Sequence, residues 1–252
     1  VGEECRAVRE AVGLIDMTPM AEFEVSGPGA EAWLDRMLAN RLPTKTGGIR
    51  LCHLLSGNGG VRCEFTVTRL GEQHYFLTTT SAEVGSVISH LEYCHQVLWP
   101  ELDLRMADVG EDWAGIALAG PQARQVLSRI AGALPVDSAS LPFLGAVECR
   151  LPGNMRARIM RISFSGELAY EIYVDSDFGP HLAGLLEAEV TARRGCLYGL
   201  EALGCLRIEK GHVSSELNKF TTARDLGLGG MMSGTKDFIG RALSQREGLT
   251  DP

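Results

Sequence analysis

The sequence predicts an α+β protein of two pseudo-repeated subdomains, each made of antiparallel strands with packed helices, and three observations carry that expectation. A Gly-Pro pair that ends a strand and opens a helix occurs at Gly27-Pro28 and again at Gly120-Pro121, 93 residues later. A Gly-Glu turn joining two apolar, alternating stretches occurs at Gly71-Glu72 and again at Gly166-Glu167, 95 residues later. Around these marks the parts come in the same order both times: strand, helix, hairpin, helix.

In chain order, residues 5–11 have a helical pattern, and residues 20–25 read as a strand that stops at Ser26-Gly27. Proline suits the start of the helix expected over 29–38, because its missing N–H would have no partner there; Ala30, Trp33, Leu34, Met37 and Leu38 form its apolar side. Residues 51–55 are a short strand, and Ser56-Gly57-Asn58-Gly59-Gly60 is a turn. Residues 61–70 alternate, with Cys63, Phe65 and Val67 on one face and Arg62, Glu64, Thr66 and Thr68 on the other. A strand over 74–79 and a helix over 82–94 complete the first copy. The second copy repeats it with a strand over 113–119, a helix over 122–130, a hairpin of strands 156–162 and 169–174 turning at Ser165-Gly166, and a helix over 178–190. A further helix covers 198–211 and stops at Gly211; residues 218–234 read as loop, and 237–245 as a short helix. The expected organisation is residues 1–110 as the first half, 111–211 as the second, and 212–252 as a loop-rich C-terminal segment.

With 252 residues and 45% hydrophobic content, the chain can bury a substantial core. No run approaches the roughly 18 apolar residues needed to span a bilayer, so no membrane role is expected. A net charge of −8 argues against a general nucleic-acid binder. Seven scattered cysteines without a Cys-x-x-Cys spacing read as reduced thiols, which fits a cytoplasmic location. A first residue other than methionine, followed almost at once by a helix, suggests a piece of a longer polypeptide.

Most familiar chemistry finds no footing. His90 and Cys94 stand four apart on one helix, but no third ligand follows at a metal-site spacing, and a plain helix surface explains them. The glycine-rich turn at 56–60 joins strand to strand and lacks the Lys-Ser/Thr of a phosphate loop. Glu171 is more informative. Alternation puts Tyr170, Ile172 and Val174 on one face of its strand and Ala169, Glu171 and Tyr173 on the other, which in an antiparallel sheet is commonly the wet face. At the 95-residue offset, however, Glu171 corresponds to Phe76 and Glu64 to Ile159, so each half carries a carboxylate where its twin is apolar. Such divergence is compatible with one asymmetric site at the junction of two related halves. A carboxylate there can accept two parallel hydrogen bonds from a guanidine-like edge, or hold a proton for a nucleophilic nitrogen.

Specific segments carry a resemblance. Gly59-Gly60-Val61 ahead of an acidic strand, Gly120-Pro121-Gln122-Ala123, Ser165-Gly166-Glu167 ahead of Glu171, and Leu206-Arg207-Ile208-Glu209-Lys210-Gly211 resemble the folate-binding aminomethyltransferase domain of the glycine cleavage T-protein family. The tract Tyr75 to Leu102, with Phe76-Leu77-Thr78-Thr79-Thr80, His90-Leu91-Glu92-Tyr93-Cys94-His95-Gln96-Val97-Leu98-Trp99-Pro100 and Glu101-Leu102, together with Asp237-Phe238-Ile239-Gly240-Arg241, is similar to the C-terminal, folate-binding part of the alpha subunit of heterotetrameric sarcosine oxidase. The resemblance implies a tetrahydrofolate site between the subdomains and, in the family, a small C-terminal β-barrel that is not expected here. It implies that Glu171 grips the pterin's amino-pyrimidinone edge, with Phe164, Tyr170 and Arg207 as further cofactor-binding residues. Glu64 is implied as the catalytic carboxylate near the nitrogens that receive the one-carbon unit, and no metal is implied.

The implied reaction turns a small amine-derived imine and tetrahydrofolate into glycine and 5,10-methylenetetrahydrofolate, the imine coming from flavin-containing parts of an oxidase complex outside this segment. A rigid grip supplies orientation, and a carboxylate steadies a transient cation and relays a proton. Glu64 stands where the family has an aspartate, Phe164 where a tyrosine is common, Ala169 where glycine is usual, Cys63 where a second aspartate occurs, and Leu203 where T-proteins carry an arginine. The departures at Glu64, Phe164 and Leu203 permit a non-catalytic assembly or interaction domain of the same fold, and a stand-alone aminomethyltransferase is a third reading, against which the expected lack of the barrel counts.

Overall fold

The structure, a computed structural model, describes residues 1–214 and 217–246. Its strands and helices in chain order are α1 (Gly2–Glu10), β1 (Gly13–Asp16), β2 (Ala21–Ser26), α2 (Ala30–Met37), β3 (Ile49–Leu55), β4 (Val61–Gly71), β5 (His74–Thr79), α3 (Val84–Tyr93), β6 (Arg105–Asp108), β7 (Trp113–Ala119), α4 (Ala123–Ile130), β8 (Ala146–Leu151), β9 (Met155–Met160), β10 (Ala169–Asp175), α5 (Gly179–Thr191), β11 (Cys196–Leu197), α6 (Leu200–Lys210) and α7 (Arg241–Ser244). The last turn of α3 widens into a π-helical segment, Cys94–Leu98.

Two sheets result, with strand orders β3-β4-β5-β2-β6 and β8-β9-β10-β7-β1-β11. Apart from β11 the two orders are the same, position for position, which is the expected duplication. Its marks survive as hydrogen bonds. Gly27 N–H donates to Gln73 carbonyl at 3.0 Å, and Gly120 N–H to Leu168 carbonyl at 2.9 Å. Both glycines have positive φ, +119° and +137°, because each lies against another backbone segment. Pro28 and Pro121 fall in the turns just before α2 and α4 rather than inside them.

Two compact units form, and they are not the contiguous halves 1–110 and 111–211. One comprises Val1–Pro19 with Gly110–His212, the other Met20–Val109 with Val213–Pro252. The physical cause is an exchange of first strands. β1 precedes β2 in sequence but pairs antiparallel with β7, and β6 precedes β7 but pairs with β2. The space a Cβ would need at Gly120 is taken by Ala11 and Val12, and at Gly27 by Asp103 and Leu104, the residues leading into the two exchanged strands. The described part of the C-terminal segment also does more than connect. Ala223 and Phe238 join Ala39, Leu55 and Val61 in a small apolar cluster, and no strand forms among the described residues after α6.

In the unit containing the second copy, Tyr170, Ile172 and Val174 pack with Ile116, Leu118, Leu127 and Leu186 in the main core. Towards β8 and β9 the opposite face of that sheet carries the exposed ion pair Arg156–Asp175 and the pair Arg158–Glu148, while over β1, β7 and the start of β10 it is covered rather than wet. Val8 of α1 and Ala202 and Leu206 of α6 pack there on Ile15, Ala117, Ala119 and Ala169. In the other unit, Cys63, Phe65 and Val67 of β4 join Phe23, Val25, Trp33, Leu34 and Leu77. The remaining face of that sheet carries the alternate residues, including His53, Glu64, Thr68 and Thr78.

Candidate functional site

Glu171 lies on the second face of its sheet, between Ala117 of β7 and Met160 of β9 in register. It is half-buried, and its Oε2 accepts a hydrogen bond from Tyr173 Oη at 3.0 Å. Tyr173 itself is fixed by a glycine, because its ring occupies the space that a Cβ at Gly115 would need, 2.8 Å away. Burial pushes the Glu171 carboxyl from an ordinary value of 4.5 up to about 7, opposed by the tyrosine hydrogen bond, which favours the ionised form. The buried Tyr198 phenol is raised too, first by burial and then by the charge of Glu171. The result is a carboxylate among two tyrosines and small alanines, costly to ionise alone and ready for a partner that donates hydrogen bonds.

Phe164 and Arg207 meet through His212. The Phe164 ring lies 4.5 Å from the His212 ring, and Arg207 donates to the His212 carbonyl at 3.0 Å. Tyr170 is a correction to the expected site. It faces the core on the opposite side of β10 from Glu171, has no exposed surface, and its hydroxyl takes a hydrogen bond from Arg124 Nε at 2.9 Å. A residue that faces the other side of the sheet cannot share a ligand with Glu171. The hairpin is also looser than expected, since residues 161–168 connect β9 to β10 in place of a tight turn. Gly166 keeps the positive φ, +91°. Arg9 pins this connection by donating to Ser165 carbonyl and Glu167 Oε1, both at 2.9 Å, and it also pairs with Glu209 of α6 at 2.6 Å. Lys210 donates to the Ser163 carbonyl. A cleft of about 310 Å³ opens beside Arg161, Ser163, Gly166 and Lys210, but none of the five expected site residues lines it.

Glu64 belongs to the other unit, directly across from His53 in the β3–β4 register. His53 Nε2 is 3.1 Å from Glu64 Oε2, and His53 Nδ1 is 3.3 Å from Asn40 Oδ1. Thr79 Oγ1 donates to the Glu64 carbonyl at 2.7 Å. The register also revises the twin of Glu64. Thr68 pairs with Phe76 and Met160 with Glu171, so the copies of this strand are related by 92 residues and Glu64 corresponds to Arg156, not Ile159. The longer connection at 161–168 absorbs the difference. Glu171 and Phe76 remain equivalent, since Phe76 pairs with Glu24 of β2 as Glu171 pairs with Ala117 of β7.

Spacing alone does not single out His53, Asn40, Tyr173 or Tyr198. Only Tyr173 has a legible signal, two residues from Glu171 on the same face of a strand. Elsewhere, Cys94 Sγ lies 3.6 Å from His90 Nε2, and no group of three or more His, Cys, Asp or Glu side chains among the described residues could hold a metal ion. All seven cysteines are free thiols. Among the described residues, no helix is long and apolar enough to cross a membrane.

These features define an aminomethyltransferase-type domain: a duplicated α+β scaffold with a partly buried carboxylate on each unit's second face. Residues 1–236 match the GCVT N-terminal domain, and the chain belongs to that family. It is 42% identical over 257 residues to the sarcosine oxidase subunit alpha of Rhizobium meliloti (strain 1021), covering 100% of this chain and 26% of that protein. It is 31% identical over 245 residues to an aminomethyltransferase of Chloroherpeton thalassium, covering 94% of this chain and 65% of that one. The crystal structure of glycine cleavage system aminomethyltransferase T from Bartonella henselae superposes with a TM-score of 0.82 at 25% identity, covering 96% of this chain and 64% of that one. The chain spans about a quarter of the length of the sarcosine oxidase alpha subunits it matches.

Proposed function

We propose that this chain is the tetrahydrofolate-binding, one-carbon-transfer domain of a sarcosine-oxidising enzyme, with flavin-containing parts of that enzyme as its partners. Family membership and the identity to a sarcosine oxidase alpha subunit support the class. The observation that carries the ligand is Glu171. A pterin's amino-pyrimidinone edge presents two parallel N–H donors, and an ionised carboxylate has lone pairs for both besides the one that Tyr173 Oη uses. Ala117 and Ala169 are the small residues beside it on the same face, with Met160 and Tyr173 as its large neighbours.

Tetrahydrofolate, when bound, supplies two nitrogens that take the carbon of a small amine-derived imine, so that glycine is released. In this assignment Glu171 fixes the ring's orientation, Phe164 offers an aromatic surface, and Arg207 holds the backbone at His212. Glu64 handles the proton that the departing amine requires.

Calorimetry tests the assignment. Tetrahydrofolate should bind, and Glu171→Gln should weaken binding by about 1.5–3 kcal/mol through loss of charge-assisted hydrogen bonds. Because Glu171 titrates near 7 and must be ionised to accept both donors, affinity should rise from pH 6 to pH 8 with proton release on binding. A well-folded protein that binds no tetrahydrofolate would instead be an assembly domain of this family.

A further inference from the structure

The hydrogen-bond chain through His53 fixes more than the position of Glu64. Asn40 is oriented unambiguously. Its Oδ1 accepts the His53 backbone N–H at 2.6 Å, and its Nδ2 donates to the Met231 carbonyl at 3.0 Å. It therefore offers His53 Nδ1 only an acceptor, at 3.3 Å, and Nδ1 must carry a hydrogen to make that contact. A neutral imidazole has one N–H, which would leave a bare lone pair on Nε2. Glu64 Oε2 stands 3.1 Å from that nitrogen, and an ionised carboxylate is also an acceptor only. Two lone pairs facing each other over that gap repel, so making both ring contacts as hydrogen bonds at once takes one more proton.

We propose that the His53–Glu64 pair holds this proton, shared between Nε2 and Oε2, and that it is the store from which Glu64 serves the departing amine. His53 has no exposed side-chain surface and Glu64 has 18%, so the proton's way out runs through Glu64. His53 is thus a positioning residue that acts through Glu64, and Asn40 fixes its tautomer. In the transfer, the bond between the imine carbon and its nitrogen breaks as that carbon forms two bonds to the accepting nitrogens. The departing nitrogen gains two protons and the accepting nitrogens lose two. The pair gives one proton and recovers one, and no oxidant or reductant is needed. This delivery role rests on the tetrahydrofolate reading, whereas the stored proton rests on the geometry alone.

Nuclear magnetic resonance of the ligand-free chain, labelled with ¹⁵N in histidine and ¹³C in glutamate, separates the two. At neutral pH the expected result is either a His53 ring with both nitrogens protonated beside an ionised Glu64, or a singly protonated ring beside a protonated Glu64 carboxyl. Glu64→Gln should return the ring to the Nδ1–H form. A singly protonated ring beside an ionised Glu64 overturns the stored proton, and wild type alone decides this even where the variant folds poorly. Calorimetric titration of the same protein with tetrahydrofolate tests the delivery role. No binding, with the proton signature intact, overturns delivery and leaves the store standing.

Discussion

The two units share a strand order and differ in chemistry on the face turned away from the main core, most sharply around one position. In one, small and apolar residues and two helices cover the part of that face around Glu171, and towards β8 and β9 the same face carries the ion pairs Arg156–Asp175 and Arg158–Glu148. In the other, the same face is polar. Glu22, His53, Thr68 and Thr78 are buried there, Glu24 pairs with His74 at 3.0 Å, and the position equivalent to Glu171 is Phe76. Duplication kept the backbone pairing and the apolar character of the core-facing positions, although individual side chains changed size, as Phe65 against Ala157. The second faces diverged at the position of Glu171 and Phe76, one placing a carboxylate under helices and the other an apolar ring among hydrogen-bonded polar groups.

Exchanging the equivalent residues should break the asymmetry most severely. Phe76 has no exposed surface and stands across from Glu24, so Phe76→Glu would bury an unpaired charge beside a like charge. A loss of about 4 kcal/mol is expected in chemical denaturation. An effect below about 1 kcal/mol would show that the polar face is more open than its burial implies.

The two glycines at the exchanged strands should respond unequally. A Cβ at Gly120 would meet the Ala11 carbonyl oxygen at 2.6 Å and the Val12 Cα at 2.8 Å, whereas one at Gly27 would meet the Asp103 carbonyl oxygen at 2.9 Å and the Leu104 Cα at 3.0 Å. Both positions have positive φ. Gly120→Ala should therefore cost about 3 kcal/mol and Gly27→Ala about 2 kcal/mol, with the order as the informative result. The reverse order would locate the tighter strand junction in the other unit.

Glu171→Gln should stabilise the ligand-free fold. Its folded-state carboxyl titrates near 7 against an ordinary 4.5, so the native state bears the cost of ionisation fully above about pH 7 and not at all below about pH 4.5. The gain should reach at most about 3 kcal/mol at pH 8 and vanish at pH 4. Thermal melts at the two pH values measure it. A variant equally stable at both would mean that Glu171 is well solvated. Together with weaker tetrahydrofolate binding, the expected result would mark Glu171 as a residue kept at a cost to stability.

Much of this was legible without coordinates, because it is local. The spacing of Gly27 and Gly120 announced the duplication, and the alternating run expected over 61–70 became β4, Val61–Gly71. The edge strand β8 was not legible, since among its residues only Leu151 is buried and it lacks the apolar signature of a central strand. The place of Glu171 on the face opposite Tyr170 follows from the two-residue period of a strand. That period cannot say whether the second face meets water or helices, and α1 and α6, distant in sequence, decided it. The sequence also could not place His53. Counting back from the Leu55–Val61 pair would set His53 against Cys63, but a bulge between Leu54 and Leu55 shifts the register by one and brings His53 opposite Glu64. Nor could it say which copy each first strand would join, because backbone hydrogen bonds do not depend on side-chain identity. Sequence alone thus determined that there are two copies and which residues face which side of a strand. Tertiary structure decided which strands pair across the copies and which polar groups meet, because both depend on contacts between segments far apart in the chain.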